Sequence, residues 1–202
     1  MTIFNMTGGG GGGDGSPTFK EMTNGLYEIK ASDWGTALTS VPTNYFYGDT
    51  LLEKMEIPSN FTSVGELSFY QCTSMTEITL PNNGSFTLSR TAFSNCTALQ
   101  HLEIPASIQT IPSSCFTGCN SLETLKLASS VRTIAAQGFS YMGTNTASGV
   151  TITVLATTPP NLASSGFNNS NINKIIVPAG TLTAYQTATN WSVYANLMEE
   201  AQ

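Results

Sequence analysis

The sequence predicts a β-rich solenoid of about six stacked repeats, with parallel strands, short turns or 3₁₀ segments, and a cap at each end. Three observations predict it. Phenylalanine recurs at Phe46, Phe69, Phe93, Phe116, Phe139 and Phe167, with gaps of 23, 24, 23, 23 and 28 residues. Five positions before each stands an aliphatic residue: Val41, Val64, Leu88, Ile111, Ile134 and Leu162. After the first four phenylalanines, apolar residues follow at offsets of six, nine and eleven: Leu52, Met55, Ile57; Met75, Ile78, Leu80; Leu99, Leu102, Ile104; Leu122, Leu125, Leu127. No single unit of this kind can bury its apolar face, so each repeat needs a neighbour on either side.

The last two members of each triplet are two residues apart and therefore share one face of a short strand. Strands of successive repeats are expected to stack in parallel about 4.7–4.9 Å apart. Pro58, Pro81 and Pro105 close three of these strands, where a missing N–H costs least, and Ala128 takes that place in the fourth. The aliphatic-x4-Phe segment is expected to turn the chain back, as a tight or 3₁₀-like turn, and to wedge its Phe inside.

The resulting unit, h-x4-F-x2-C-x2-L-x2-L-x-[IL]-P, resembles the BspA-type leucine-rich repeat of bacterial surface proteins, from Val41 to Pro178. Thr158-Pro159-Pro160, the run Ile176 to Gly180, and Tyr185 to Trp191 resemble the terminal repeat and closing helix of such proteins. The resemblance implies a leucine-rich repeat solenoid used for adhesion or protein binding rather than catalysis.

The 202 residues divide into an apolar peptide with a glycine-rich anchor or linker (1–17), an N-terminal cap (18–40), the repeats (41–178) and a helical C-terminal cap (179–202). Only 10% of residues are charged, and the net charge is −6. Seven Lys and Arg cannot easily supply the concentrated basic face that a nucleic acid requires, so no nucleic-acid partner is expected. Met1 to Met6 has no basic n-region and is too short for a signal peptide; no later apolar run reaches the ~18 residues of a membrane span. No membrane insertion is expected.

Gly8, Gly9, Gly10, Gly11, Gly12 and Gly13 form the one low-complexity tract. A phosphate-cradling loop would need a G-x4-G-K-[ST] spacing after a strand, which is missing. Two readings stay open. One is a flexible linker. The other is an assembly anchor in which Ile3, Phe4 and Met6 and the glycines pack closely against a partner, since no Cβ intervenes. An apolar peptide followed by polyglycine resembles tail- and fibre-associated proteins of bacteriophages. The anchor reading implies a homo- or hetero-oligomer formed through the N-terminus.

Between the tract and the repeats, Asn24-Gly25 is a hairpin-turn dipeptide, and Leu26-x-x-Ile29 is read as an edge strand of the cap that buries Trp34. In the fifth repeat Gly143 to Gly149 lengthens a turn and is expected to project as a loop available to a partner. The sixth repeat is one residue short. Thr181 to Glu200 reads as helical, with Thr181 as N-cap, a break at Thr189-Asn190, and Glu199 and Glu200 in solvent.

Cys72, Cys96 and Cys119 share one repeat position, three residues after their Phe. They are expected to stack inward and bond loop carbonyls, as an Asn does in other leucine-rich repeats. Free thiols are favoured, with oxidation between stacked neighbours left open. Cys115 and Cys119 come nearest to zinc-ligand spacing, but His101 is the only histidine, so neither a metal nor any other cofactor is expected.

Outward-facing strand positions form two columns. Lys54, Glu77, His101, Thr124, Thr151 and Lys174 make one; Glu56, Thr79, Glu103, Lys126, Thr153 and Ile176 make the other. These twelve would line the open sheet face, the usual ligand surface of a solenoid, and meet a protein or surface glycan. Their alternating signs equally suit solvated cross-strand pairs. Nothing marks an acid and nucleophile around His101, or a catalytic carboxylate pair involving Glu77 and Glu103. The sequence therefore predicts a non-enzymatic attachment or recognition module of a larger assembly, with a phage virion ahead of a bacterial surface adhesin. A structural decoration or adaptor protein is the alternative role. A far-UV circular dichroism spectrum should be dominated by strand rather than helix; a helix-dominated spectrum contradicts the fold.

Overall fold

A computed structural model describes residues 20–21 and 27–202. Two strands precede the repeats, Lys20–Glu21 (β1) and Tyr27–Ile29 (β2), followed by a 3₁₀ turn at Ala31–Asp33. Each coil then contributes a longer strand and a two-residue strand. The pairs are Leu52–Glu56 (β3) with Ser63–Val64 (β4), and Glu77–Thr79 (β5) with Thr87–Leu88 (β6). Next come His101–Ile104 (β7) with Thr110–Ile111 (β8), Thr124–Leu127 (β9) with Thr133–Ile134 (β10), and Val150–Val154 (β11) with Asn161–Leu162 (β12). Ile172–Val177 (β13), an α-helix at Leu182–Thr187 (α1), a 3₁₀ helix at Ser192–Leu197 and Met198–Glu200 (β14) complete the described chain.

The long strands stack in parallel, apart from β1, which runs antiparallel to β2. β2 is thus an inner strand, not the edge, and the Asn24-Gly25 dipeptide lies outside the described residues. The short strands form a second parallel ladder that begins with a bridge between Val41 and Val64. The aliphatic residue five before each Phe therefore sits in this ladder, and the turn proper follows it.

Along that turn the six phenylalanines stack ring on ring. From Phe46 to Phe139 their centroids are 5.1, 4.9, 5.2 and 5.3 Å apart with interplanar angles of 15°, 6°, 3° and 7°. The spacing is close to the separation of paired strands, so the coil rise sets the stacking distance. Across the lengthened fifth repeat the separation widens to 5.9 Å. A tryptophan meets each end of the stack edge-on, Trp34 against Phe46 and Trp191 against Phe167. Both tryptophans are buried.

Each of the first five turns holds two residues at positive φ, and the sixth holds one. One stands three after the aliphatic residue (Asn44, Leu67, Thr91, Ser114, Gln137) and the other two after the Phe (Gly48, Gln71, Asn95, Gly118, Tyr141, Asn169). An L-residue with a Cβ meets a steric penalty there, felt most by β-branched or bulky residues such as Thr91 at φ 56° and Leu67 at φ 58°. The turn is held by bonds to the next coil, such as Phe93 N–H to Cys115 O (2.9 Å) and Asn95 N–H to Thr117 O (2.7 Å).

Thr181–Glu200 is not helical throughout. After α1 and the 3₁₀ helix, β14 pairs in parallel with β13, matching Ile175 to Met198, because the last long strand otherwise leaves an edge of open backbone groups. Glu199 and Glu200 are exposed as expected, but on a strand. The side chain of Thr181 does not cap α1; it donates to Pro178 O, and Glu200 Oε1 accepts from Leu182 N–H instead. Tyr185 Oη donates to Ala156 O (2.6 Å) and Trp191 Nε1 to Pro160 O (2.7 Å), tying this segment onto the fifth coil. Nor does the loop at 143–149 project freely. Asn145 N–H bonds Asn120 O, Asn120 Nδ2 donates to Thr144 Oγ1, and Asn171 Nδ2 donates to Thr146 O, which lace it to the coils on both sides.

Truncating an interior ring, Phe116→Ala, should cost about 3–5 kcal/mol in urea unfolding, since it removes a buried ring and two stacking partners. Tyr185→Phe should cost about 1–2 kcal/mol, because the buried Ala156 carbonyl loses its donor.

Candidate functional site

The strand face brings together the residues that the sequence places on it. Register pairs Lys54 with Glu77 and Glu56 with Thr79; His101 with Thr124 and Glu103 with Lys126; Thr124 with Thr151 and Lys126 with Thr153; Thr151 with Lys174 and Thr153 with Ile176. The two columns are thus formed in the expected order. They lie on two sheets rather than one, since β5 and β7 are not hydrogen-bonded neighbours.

Exposure varies along the face. Glu56, Glu77, Thr79, His101, Glu103, Thr124 and Lys126 are exposed, whereas Lys54, Thr151, Thr153, Lys174 and Ile176 are half-buried. The accessible centre therefore runs from the second to the fourth repeat.

Charges on this face are matched side chain to side chain. Lys54 Nζ is 3.0 Å from Glu77, Lys126 Nζ is 2.9 Å from Glu103, and Lys174 Nζ is 2.9 Å from Glu199. Glu77, through its hydrogen bond and then its charge, raises the Lys54 pKa. Glu56 accepts from the Ala31 amide (3.3 Å). His101 Nδ1 and Thr124 Oγ1 are 2.9 Å apart. The result is a hydrogen-bonding surface with little net field of either sign. Among the described residues, no His, Cys, Asp and Glu groups of three or more could hold a metal ion.

The cysteines stack as the repeat position requires, and all four are buried free thiols. Cys72 Sγ donates to Phe46 O and Cys96 Sγ to Phe69 O, each at 3.2 Å, and Cys119 Sγ to Phe93 O at 3.7 Å. Met142 occupies the next position in the column, and Ser170 Oγ resumes the bond with Phe139 O at 2.8 Å. Burial pushes all four thiols up, Cys119 to about 12. Such thiols have the wrong environment for a nucleophile, which needs thiolate near neutral pH.

The anchor candidates Ile3, Phe4, Met6 and Gly8 to Gly13 lie outside the described residues. Two features escaped the sequence reading. One is the second ladder; the other is a further core column of Phe61, Phe86, Ile108 and Val131. Its signal was present, an apolar residue four after Ile57, Ile104 and Leu127, and six after Leu80.

Residues 39–156 match the BspA type leucine rich repeat region in six copies. The chain belongs to that family, a repeat family compatible with binding or adhesion and typically a non-enzymatic binding fold. Among solved structures it is similar to the pneumococcal vaccine antigen PcpA, with 16% identity and a TM-score of 0.56, over 91% of this chain and 46% of that one. It is also similar to a leucine rich cell surface protein of Faecalibacterium prausnitzii A2-165, with 19% identity and a TM-score of 0.49, over 82% of this chain and 54% of that one. The chain therefore spans about half the length of these two proteins, and the PcpA likeness carries the fold. No curated protein sequence matches. Among the described residues no helix is long and apolar enough to cross a membrane.

Two outcomes follow for the thiols. A thiol-disulfide reagent at neutral pH should titrate none of the four in the native protein and all four in denaturant. The folded state holds these protons more tightly than the unfolded chain does, so their stabilising contribution is intact below the ordinary thiol value of 9.0. The unfolding midpoint should therefore stay level up to that pH and fall progressively toward about 12 as the unfolded thiols ionise.

Proposed function

We propose that the chain is a non-enzymatic attachment or recognition module of a larger assembly, which binds a protein or surface glycan through the open strand face. The observation that carries this is the pairing of every lysine on that face with a glutamate, Lys54 with Glu77, Lys126 with Glu103 and Lys174 with Glu199. A face so neutralised suits a polar, weakly charged ligand met by hydrogen bonds, not a polyanion. Exposed Thr79, Thr124 and His101 supply donors and acceptors between the ion pairs. The segments at 18–40 and 179–202 serve as caps that keep the first and last coils from continuing into another molecule.

The assembly is a phage particle, with residues Ile3 to Gly13 as the tether, supported by the apolar peptide followed by polyglycine. A bacterial cell surface is the second reading. It is favoured by the family to which the repeats belong.

Binding is tested on intact bacterial cells and on an array of neutral and acidic glycans. The paired substitution Glu103→Ala with Lys126→Ala removes one whole ion pair and should lower binding at least ~10-fold without changing the circular dichroism spectrum. Unchanged binding removes the strand face from the proposal. Light scattering on the full chain and on one starting at Ser16 tests the tether. A defined oligomer that becomes a monomer on truncation supports an assembly anchor, and two monomers oppose it.

A further inference from the structure

The solenoid is not uniformly stitched. Neither β5 and β7 nor β6 and β8 are hydrogen-bonded neighbours, so both ladders are interrupted between the same two coils. Four short and long sheets result where two continuous ones would otherwise run. The strands of the two coils still lie side by side.

Two sequence features produce the break. The connection from Leu80 to the next core residue, Phe86, is six residues long, where Ile57 to Phe61, Ile104 to Ile108 and Leu127 to Val131 each take four. The following coil then places Pro112 at a position from which the other coils donate backward. At the end of the long strand, Ala128 N–H bonds Ile104 O and Leu155 N–H bonds Leu127 O; the equivalent residue here is Pro105. Pro81 and Pro178 stand at the same position in coils whose ladders to the coil before continue, so this proline does not break the ladder by itself. After the short strand, Ser89, Ala135 and Ala163 donate to Val64, Ile111 and Ile134; the equivalent here is Pro112. Proline has no N–H to give, so the carbonyls of Leu80 and Leu88 lose those partners.

The core records the gap. Ile78, Leu80 and Leu88 are each 7% exposed, while their counterparts Leu102, Ile104 and Ile111 are at 2%, 0% and 0%. Two grooves border the break, one of about 460 Å³ reaching Leu80 and Pro105, the other of about 280 Å³ between Gly84–Leu88 and Ser107–Pro112.

The opposite side of the same two coils is firmly joined. Phe69 N–H bonds Ala92 O (2.8 Å), Gln71 N–H bonds Ser94 O (2.9 Å), Cys96 Sγ donates to Phe69 O, and Phe69 stacks on Phe93 at 6°. On the open side the backbone contact is stretched, Gln100 N–H to Thr76 O at 3.4 Å against 2.8 Å for Glu123 N–H to Gln100 O in the next coil. One buried side-chain bond crosses there, Ser107 Oγ to Pro81 O at 2.7 Å.

We propose that this seam is a built-in hinge: the stack from β2 to β6 and the stack from β7 to β14 open and close as two units about the Phe69–Phe93 turns, with Ser107 as the latch. The motion changes the curvature of the strand face between Thr79 and Glu103, and so the spacing of the ligand-contact columns. It stands whether or not that face is the binding surface.

Hydrogen exchange followed by mass spectrometry tests it on the unaltered chain. Amides of 77–80, 87–88, 102–104 and 110–111 should exchange at least ~10-fold faster than those of 125–127 and 152–154. Ser107→Ala should widen that difference, and Pro112→Ala, which restores a donor to Leu88 O, should narrow it. Exchange at the seam within about twofold of the other coils overturns the hinge. So does equal acceleration of every coil by Ser107→Ala, which marks general destabilisation.

Discussion

The rise of one coil per strand spacing is the constraint to which everything else answers. Paired parallel strands lie about 4.7–4.9 Å apart. Every side chain at a given repeat position must therefore tolerate its own copy at that distance. Phe tolerates it by stacking, a thiol by donating to the carbonyl of the coil before, and a lysine by facing a glutamate. Like charges at one position in successive coils would repel, and the alternation of Lys54 with Glu77 and of Glu103 with Lys126 avoids this. The columns are the natural units of the molecule, more than the repeats.

Columns explain what was legible in the sequence and what was not. The Phe, aliphatic and strand positions recur with almost fixed spacing, so the fold and the identity of the outward-facing residues could be read directly. Register is a period-two property, and the counts from each Phe set it without ambiguity. Less legible was anything decided by hydrogen bonds with no side-chain signature. The two-residue strands leave only one apolar residue as their mark, which reads equally well as part of a turn. Met198 to Glu200 carries no strand pattern of its own, and becomes a strand because β13 offers an open edge. The split of the face was foreshadowed only by one gap of 24 residues and by Pro112, whose meaning depends on what its counterparts donate to.

The candidate site shows a similar division. Which side chains share the face follows from spacing alone. That its charges cancel in pairs requires the register between coils, and that its centre is more accessible than its C-terminal end requires the packing of β13 and β14. The buried thiols belong to the scaffold. They supply inward donors to the carbonyls of the coil before, and desolvation keeps them protonated. Where the column changes to Met142 and then Ser170, the hydroxyl takes over the same bond.

The edges of the described stack bear on how two copies could meet. β14 is the outermost strand of its sheet and presents Glu199 and Glu200 beside the free edge. A parallel solenoid is in principle self-templating, because its last coil offers any incoming copy the same ladder that the coil before offered it. Lys174 neutralises Glu199, so the carboxylate that a second molecule would meet there is Glu200, on a chain of net charge −6. At the other end β1 runs antiparallel and breaks the direction that a growing stack would need. Among the described residues, a second copy stacked on either end would thus meet an edge unlike the one between coils, flanked by charge at one end and by reversed strand polarity at the other.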